Sequence, residues 1–219
     1  MGEHVPPART RDARRTKARL LDAARDEFAE YGIAGARVER IAAAAGCNKA
    51  MIYRYFDNKD ALFDAAFAAH VTAHLDRVNF DATDLPAYAG RLFDIVEDDP
   101  TVIRLASWYR LERSGSPGHD AVTYANETRL AKLRQAQAAG DLTNRWDATA
   151  ILVFVVSIAN AWATLNPEFN ATTAPDRTTR RLAVIDAVTT LIAPHCLSST
   201  GPQPSQPAHH GGSERKLPH

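Results

Sequence analysis

Cysteine is almost missing from this chain, with only Cys47 and Cys196 among 219 residues. Two thiols so far apart cannot staple a small secreted scaffold, and the scarcity fits a reducing cytoplasm. Net charge is missing too, because 26 Lys/Arg are matched by 26 Asp/Glu. Overall charge therefore gives no reason to expect nucleic acid. No β-branched alternation and no Asn-Gly or Asp-Gly hairpin signal occurs, which argues against a sheet. Nucleophile motifs, Walker-type loops, zinc spacings and dinucleotide fingerprints are all lacking, so no enzyme activity, cofactor or metal is expected. The leader is basic and polar with no apolar core, so no signal peptide is expected. One long uncharged run exists, residues 148–165. It is short for a membrane span, Thr149, Ser157, Asn160 and Thr164 interrupt it, and no basic flank marks one side; no membrane partner is expected.

The charges that are present are unevenly placed. Residues 1–60 hold 12 Lys/Arg against 9 Asp/Glu, which favours an N-terminal face that meets phosphate. Arg9, Arg11, Arg14, Arg15, Lys17 and Arg19 crowd the start of an amphipathic helix over 14–31, with Leu21, Ala24, Phe28 and Tyr31 as its apolar face. Cations oppose the macrodipole at a helix N-terminus, so phosphate is the natural reason for them. Gly32 follows, where a helix end wants positive φ.

Residues 37–56 read as two short helices joined by a tight turn. Val38, Ile41, Ala42 and Ala45 give the first an apolar face, and Gly46 supplies the left-handed turn. Asn48 caps the second by accepting from the amide of Met51. Ile52 and Phe56, four apart, anchor that helix, leaving Lys49, Met51, Tyr53 and Arg54 to face outward. A short helix pinned from behind, with cations and a phenol in front, suits a DNA major groove.

The pattern of Phe28, Tyr31 and Gly32, then Ile41-Ala42, Ala45-Gly46, Asn48, Tyr53, Phe56 and Asn58-Lys59 resembles the DNA-binding domain of the tetracycline-repressor (TetR) family. The chain departs from the family at three places: Ala36-Arg37 replaces the usual hydroxyl cap, Cys47 a branched apolar residue, and Met51 a frequent hydroxyl residue. The resemblance implies an all-α protein of about nine helices. A basic arm over 1–13 precedes a helix-turn-helix domain over 14–74, a helical effector-binding and dimerisation domain over 75–193, and a disordered tail over 194–219. It further implies a cytoplasmic, nucleoid-associated regulator, a repressor released from double-stranded operator DNA by a small apolar effector. Arg14, Arg15, Arg37, Asn48, Lys49, Ala50, Met51, Tyr53, Arg54 and Lys59 are the expected DNA-binding residues, with Tyr53 and Lys59 on phosphate and Lys49 and Arg54 on base edges.

The remaining helices are expected over 59–79, 85–96, 101–113, 120–139, 146–165 and 176–193, with 114–118 as an interhelical turn. Phe93, Arg104, Trp108, Tyr109, Tyr124 and Asn160 are candidate effector-binding residues, because helical bundles build ligand sites from aromatics and a few polar groups. The helix over 146–165 is apolar all round, which suits a helix packing on its own domain and on a partner. Ile151, Phe154, Val155, Ile158 and Trp162, with Ile185, Val188 and Ile192, are the expected homodimer interface. Asp81, Asp84, Glu97, Asp98 and Asp99 read as solvated acids, and Cys47 as a small buried filler. His70 and His74, four apart, have metal spacing but no third ligand. The rival function is a small-molecule carrier or enzyme that retains a vestigial DNA-binding fold; exposed Lys49, Tyr53 and Arg54 argue against it.

Overall fold

A computed structural model describes residues 8–113, 120–166, 168 and 175–193. Cys196, the turn expected at 114–118, and the tail from 194 lie outside the described residues, as do the side chains of Arg9, Arg11 and Leu75. Nine helices are described: α1 Ala8–Gly35, α2 Val38–Ala44, α3 Lys49–Tyr55, α4 Lys59–Arg77, α5 Leu85–Asp98, α6 Thr101–Glu112, α7 Asp120–Ala139, α8 Ala148–Thr164 and α9 Arg177–Ile192. No strand occurs among the described residues.

Side-chain caps set most of the helix starts. Asn48, Asn58, Asp84, Asp147 and Asp176 each accept from the amide three residues on, which satisfies one of the donors a helix leaves open at its N-terminus. α2 is the exception, because Arg37 caps it without a side-chain bond. Glu27 of α1 compensates by accepting from the Arg37 amide at 2.8 Å and from Arg40 Nε at 2.8 Å. α1 starts at Ala8, ahead of the expected position, and bends at Gly32, whose φ is 70°.

Two apolar cores result. The first joins Leu20, Ala24 and Phe28 of α1 to Ile41, Ile52, Phe56, Leu62 and Phe63, with Leu105 of α6 reaching in. Phe28 meets Phe63 edge to face at 5.1 Å, a favoured geometry for aromatic quadrupoles. Leu20, not Leu21, is fully buried in α1 beside Ala24 and Phe28, and Tyr31 is half exposed, with the Arg40 guanidinium 4.2 Å from its ring centroid. The second core gathers Tyr88, Phe93, Leu133, Ile151, Val155 and Val188 from α5, α7, α8 and α9.

Ion pairs fasten α9 across α5. Arg180 grips Glu97 through two bonds at 2.8 and 2.6 Å, Arg181 meets Asp94 at 2.8 Å, and Arg177 meets Asp98 at 2.7 Å. Glu97 is therefore a half-buried interhelical partner, while Asp98 pairs with Arg177 and stays exposed to solvent. Asp84 caps α5, Asp99 accepts from the Thr101 amide and Asp81 from Thr83. Asp81 and Asp84 are exposed, as expected of loop and helix-end acids, whereas the pairing of Glu97 escaped the sequence pattern because its partner lies on another helix.

Candidate nucleic-acid interface and effector cavity

α3 is held from behind by Ile52 and Phe56, 1% and 7% exposed. Gly46, at φ 65°, makes the turn before it, a conformation that a Cβ would penalise. Asn48, Lys49, Ala50, Tyr53 and Arg54 are all exposed on this helix. Met51 is only half exposed and packs against the first core, a correction to its expected outward role: its apolar side chain finds the adjoining core surface. Cys47 packs there too.

Lys49 Nζ lies 2.7 Å from Glu39 of α2 and 5.8 Å from the Tyr53 ring centroid. The bond to Glu39, then its charge, raises the Lys49 pKa, and the same bond lowers that of Glu39. The start of α1 runs beside the end of α3: Tyr55 OH donates to the Ala13 carbonyl at 3.5 Å, and Lys17 lies over the Phe56 ring. This brings the exposed Arg14 and Arg15 to the flank of α3, with Arg15 3.3 Å from Asp12. The Arg37 side chain is exposed at the start of α2. A groove-sized helix bordered by cations on two sides is a geometry for phosphates and base edges.

Lys59, expected to meet phosphate, is engaged within the chain in this structure. It is half-buried, and its ammonium donates to the carbonyls of Ala34 at 3.1 Å and Ala36 at 3.3 Å. The cation closes the turn between α1 and α2, where carbonyls left open by the bend at Gly32 need donors.

α6 approaches the same turn from the other side. Glu112 accepts from the amides of Ile33 at 3.1 Å and Ala34 at 3.0 Å, and Trp108 Nε1 donates to the Ala29 carbonyl at 3.3 Å. Arg104 pairs with Glu30 at 3.0 Å. These three residues are four apart and so form one stripe along α6. Gly32 is needed at the contact, because a Cβ there would lie 2.7 Å from Glu112 and 2.9 Å from the Trp108 ring. Arg104 and Trp108, candidate effector residues by sequence, therefore face the DNA-binding unit.

The neighbouring face of α6 borders a cavity of about 550 Å³. Ile103, Ala106, Tyr109 and Arg110 of α6 line it with Phe67 of α4, Val122, Thr123 and Asn126 of α7, and Val156, Ser157, Asn160 and Thr164 of α8. Tyr109 stacks on Phe67 at 4.5 Å. Of the sequence candidates, Tyr109 and Asn160 reach this cavity. Phe93 is buried in the second core beneath Arg180, and Tyr124 is 74% exposed. The other lining residues carried no distinguishing signal, since small and apolar positions on four helices meet only after folding.

The expected dimer residues also divide. Ile151, Val155 and Val188 are fully buried within the chain's own second core, so they cannot form an outward face. Ile158, Trp162 and Ile192 pack on that core, and Ile185 meets α5 at Gly90. Phe154 is exposed and meets Trp146 edge to face. Val153, Leu165 and Leu182 are the other exposed large apolar residues of α8, its C-cap and α9. Among the described residues no helix is long and apolar enough to cross a membrane, and no group of three or more His, Cys, Asp and Glu could hold a metal.

An all-helical chain with a capped, outward recognition helix and a separate cavity body has the architecture of a DNA-binding regulator. Residues 20–66 match the family model described as bacterial regulatory proteins, tetR family, and residues 84–189 match the tetracyclin repressor-like C-terminal domain. The HTH-type transcriptional repressor SCO4008 of Streptomyces coelicolor is 36% identical over 160 residues, covering 72% of this chain and 83% of that protein. The crystal structure of the transcriptional regulator SCO4942 from the same organism superposes with a TM-score of 0.73 at 38% identity, covering 81% of this chain and 98% of that one. FadR of Bacillus subtilis, solved with stearoyl-CoA, shares the fold at a TM-score of 0.62 and 18% identity, covering 80% and 99%. The chain belongs to the TetR family of bacterial regulatory proteins. It is a helix-turn-helix transcriptional regulator.

Proposed function

We propose that this chain is a homodimeric repressor that leaves its operator when a small, largely apolar molecule enters the α4–α6–α7–α8 cavity. The observation that carries the reading is the two-sided use of α6. Ile103, Ala106, Tyr109 and Arg110 line the cavity, while Arg104, Trp108 and Glu112 hold the turn that precedes α2. A ligand that shifts α6 would shift that turn and with it α2 and α3. Such a ligand acts only through different affinities for the two arrangements. The relative SCO4008 is named as a repressor, which supports repression over activation.

On this reading residues 14–74 form the DNA-binding unit and 75–193 the effector and dimerisation unit. Arg14, Arg15, Arg37 and Tyr53 serve the backbone, and Lys49 and Arg54 serve bases. Dimers form through the exposed faces of α8 and α9, around Val153, Phe154 and Leu182, and the protein works on DNA in the cytoplasm. The test is to select genomic fragments on the protein and measure a releasing compound's affinity with and without a selected fragment. Coupling requires DNA to weaken the compound by the factor by which the compound weakens DNA. Equal compound affinity in both conditions contradicts the reading.

A further inference from the structure

The lining of the effector cavity carries information about the class of molecule it takes. Asn160 Oδ1 is buried with no hydrogen-bond partner, although a primary amide offers both an acceptor and two donors. A buried polar atom left unpaired costs free energy unless something fills the role. At the edge, Arg110 is exposed, donates to Ser107 Oγ at 3.3 Å, and takes part in no ion pair among the described residues. Among the described residues no carboxylate lines the cavity. The lining also holds the stacked Phe67 and Tyr109 rings with Ile103 and Val156.

We propose, building on the effector reading above, that the ligand is an aromatic amphipath that hydrogen-bonds Asn160 at its buried end. It carries an anionic or strongly accepting group to Arg110 at the mouth. A flat ring system gains dispersion and quadrupole contacts against Phe67 and Tyr109. A donor on the ligand completes Asn160 Oδ1. A permanent cation would find rings but no counter-charge in the lining, and would face Arg110.

Two dyes separate the parts of this proposal. 6-(p-Toluidino)naphthalene-2-sulfonate is an aromatic anion whose N–H donor and sulfonate lie at opposite ends of the naphthalene, and N-phenyl-2-naphthylamine keeps the rings and the N–H but lacks the sulfonate. Fluorescence titration should give one site per chain, with the anion bound about fivefold tighter, the size expected of a solvent-screened ion pair. Arg110→Gln should erase that difference, and Asn160→Leu should weaken both dyes. Ala106→Trp, which fills the cavity, should abolish binding while helical circular dichroism persists. Equal affinity for the two dyes, or tighter binding of the cationic dye ethidium, overturns the anionic class but leaves the cavity as a ligand site. If neither dye binds, or Ala106→Trp changes nothing, the cavity reading fails as well.

Discussion

Lys59 shows how a single cation changes its meaning on folding. A basic residue at the start of α4 reads as a phosphate contact, but its ammonium is bound to the carbonyls of Ala34 and Ala36. Lys59→Met should therefore reduce stability by about 1.5–3 kcal/mol, the range for a lost hydrogen bond to a charged group. Urea denaturation checks this, and the salt dependence of DNA binding by the folded variant should stay the same. A drop of one unit in the salt slope with unchanged stability would return Lys59 to the DNA surface. Asn48 is the opposite case: its cap on α3 reaches only three positions along the chain, to the Met51 amide, and was readable from sequence. Glu27 and Glu112 were not, because their partners Arg37 and the 33–34 amides are 10 and 78–79 positions away. Local chemistry is written in the chain, whereas a long-range acceptor exists only once two helices meet.

Among the elements, α6 joins the cavity to the turn ahead of α2. Gly32→Ala should cost at least about 1 kcal/mol, because the φ of 70° is unfavourable for any Cβ and the Trp108 ring leaves no room. Glu112→Ala should weaken DNA binding with little change in dye binding, since the cavity face of α6 is untouched. Dye titration and DNA anisotropy on the same sample check this, and parallel loss of both would mean a general folding defect. α4 adds a pH dependence. Burial, then the nearby Arg25, lowers the pKa of His70, whereas burial alone dominates for His74, whose Nε2 is buried without a partner. A base with a lowered folded pKa takes up protons on unfolding, so this stability is present above the unfolded pKa of about 6.5 and is lost as pH falls below it. The midpoint of urea unfolding should fall from pH 7.5 to 5.5, and less so in His74→Leu. An equal fall in the variant contradicts the assignment. Helix positions were largely readable from periodicity, caps and breakers. The inward side of α8 was not, because a helix apolar on every face gives no signal to choose between Ile151 and Val153.

The whole molecule is expected to work as a dimer, with Val153, Phe154 and Leu182 left exposed by the single chain. Exposed apolar residues on two adjacent helices mark an interface. Val153→Arg should yield monomers in sedimentation at micromolar concentration, with the circular dichroism of the parent, and lose operator binding because one recognition helix alone holds too few contacts. A dimer that survives this change would move the interface elsewhere. The central claim is that α3 reads a DNA sequence, and selection of genomic fragments by the parent and by Arg54→Ala tests it most directly. The parent should enrich a near-palindromic site with half-sites about one helical turn apart. Arg54→Ala should bind that site more weakly by roughly 1–3 kcal/mol per half-site while its affinity for random fragments changes little. No enrichment over random DNA by the parent, or equal operator affinity for the variant, would contradict it.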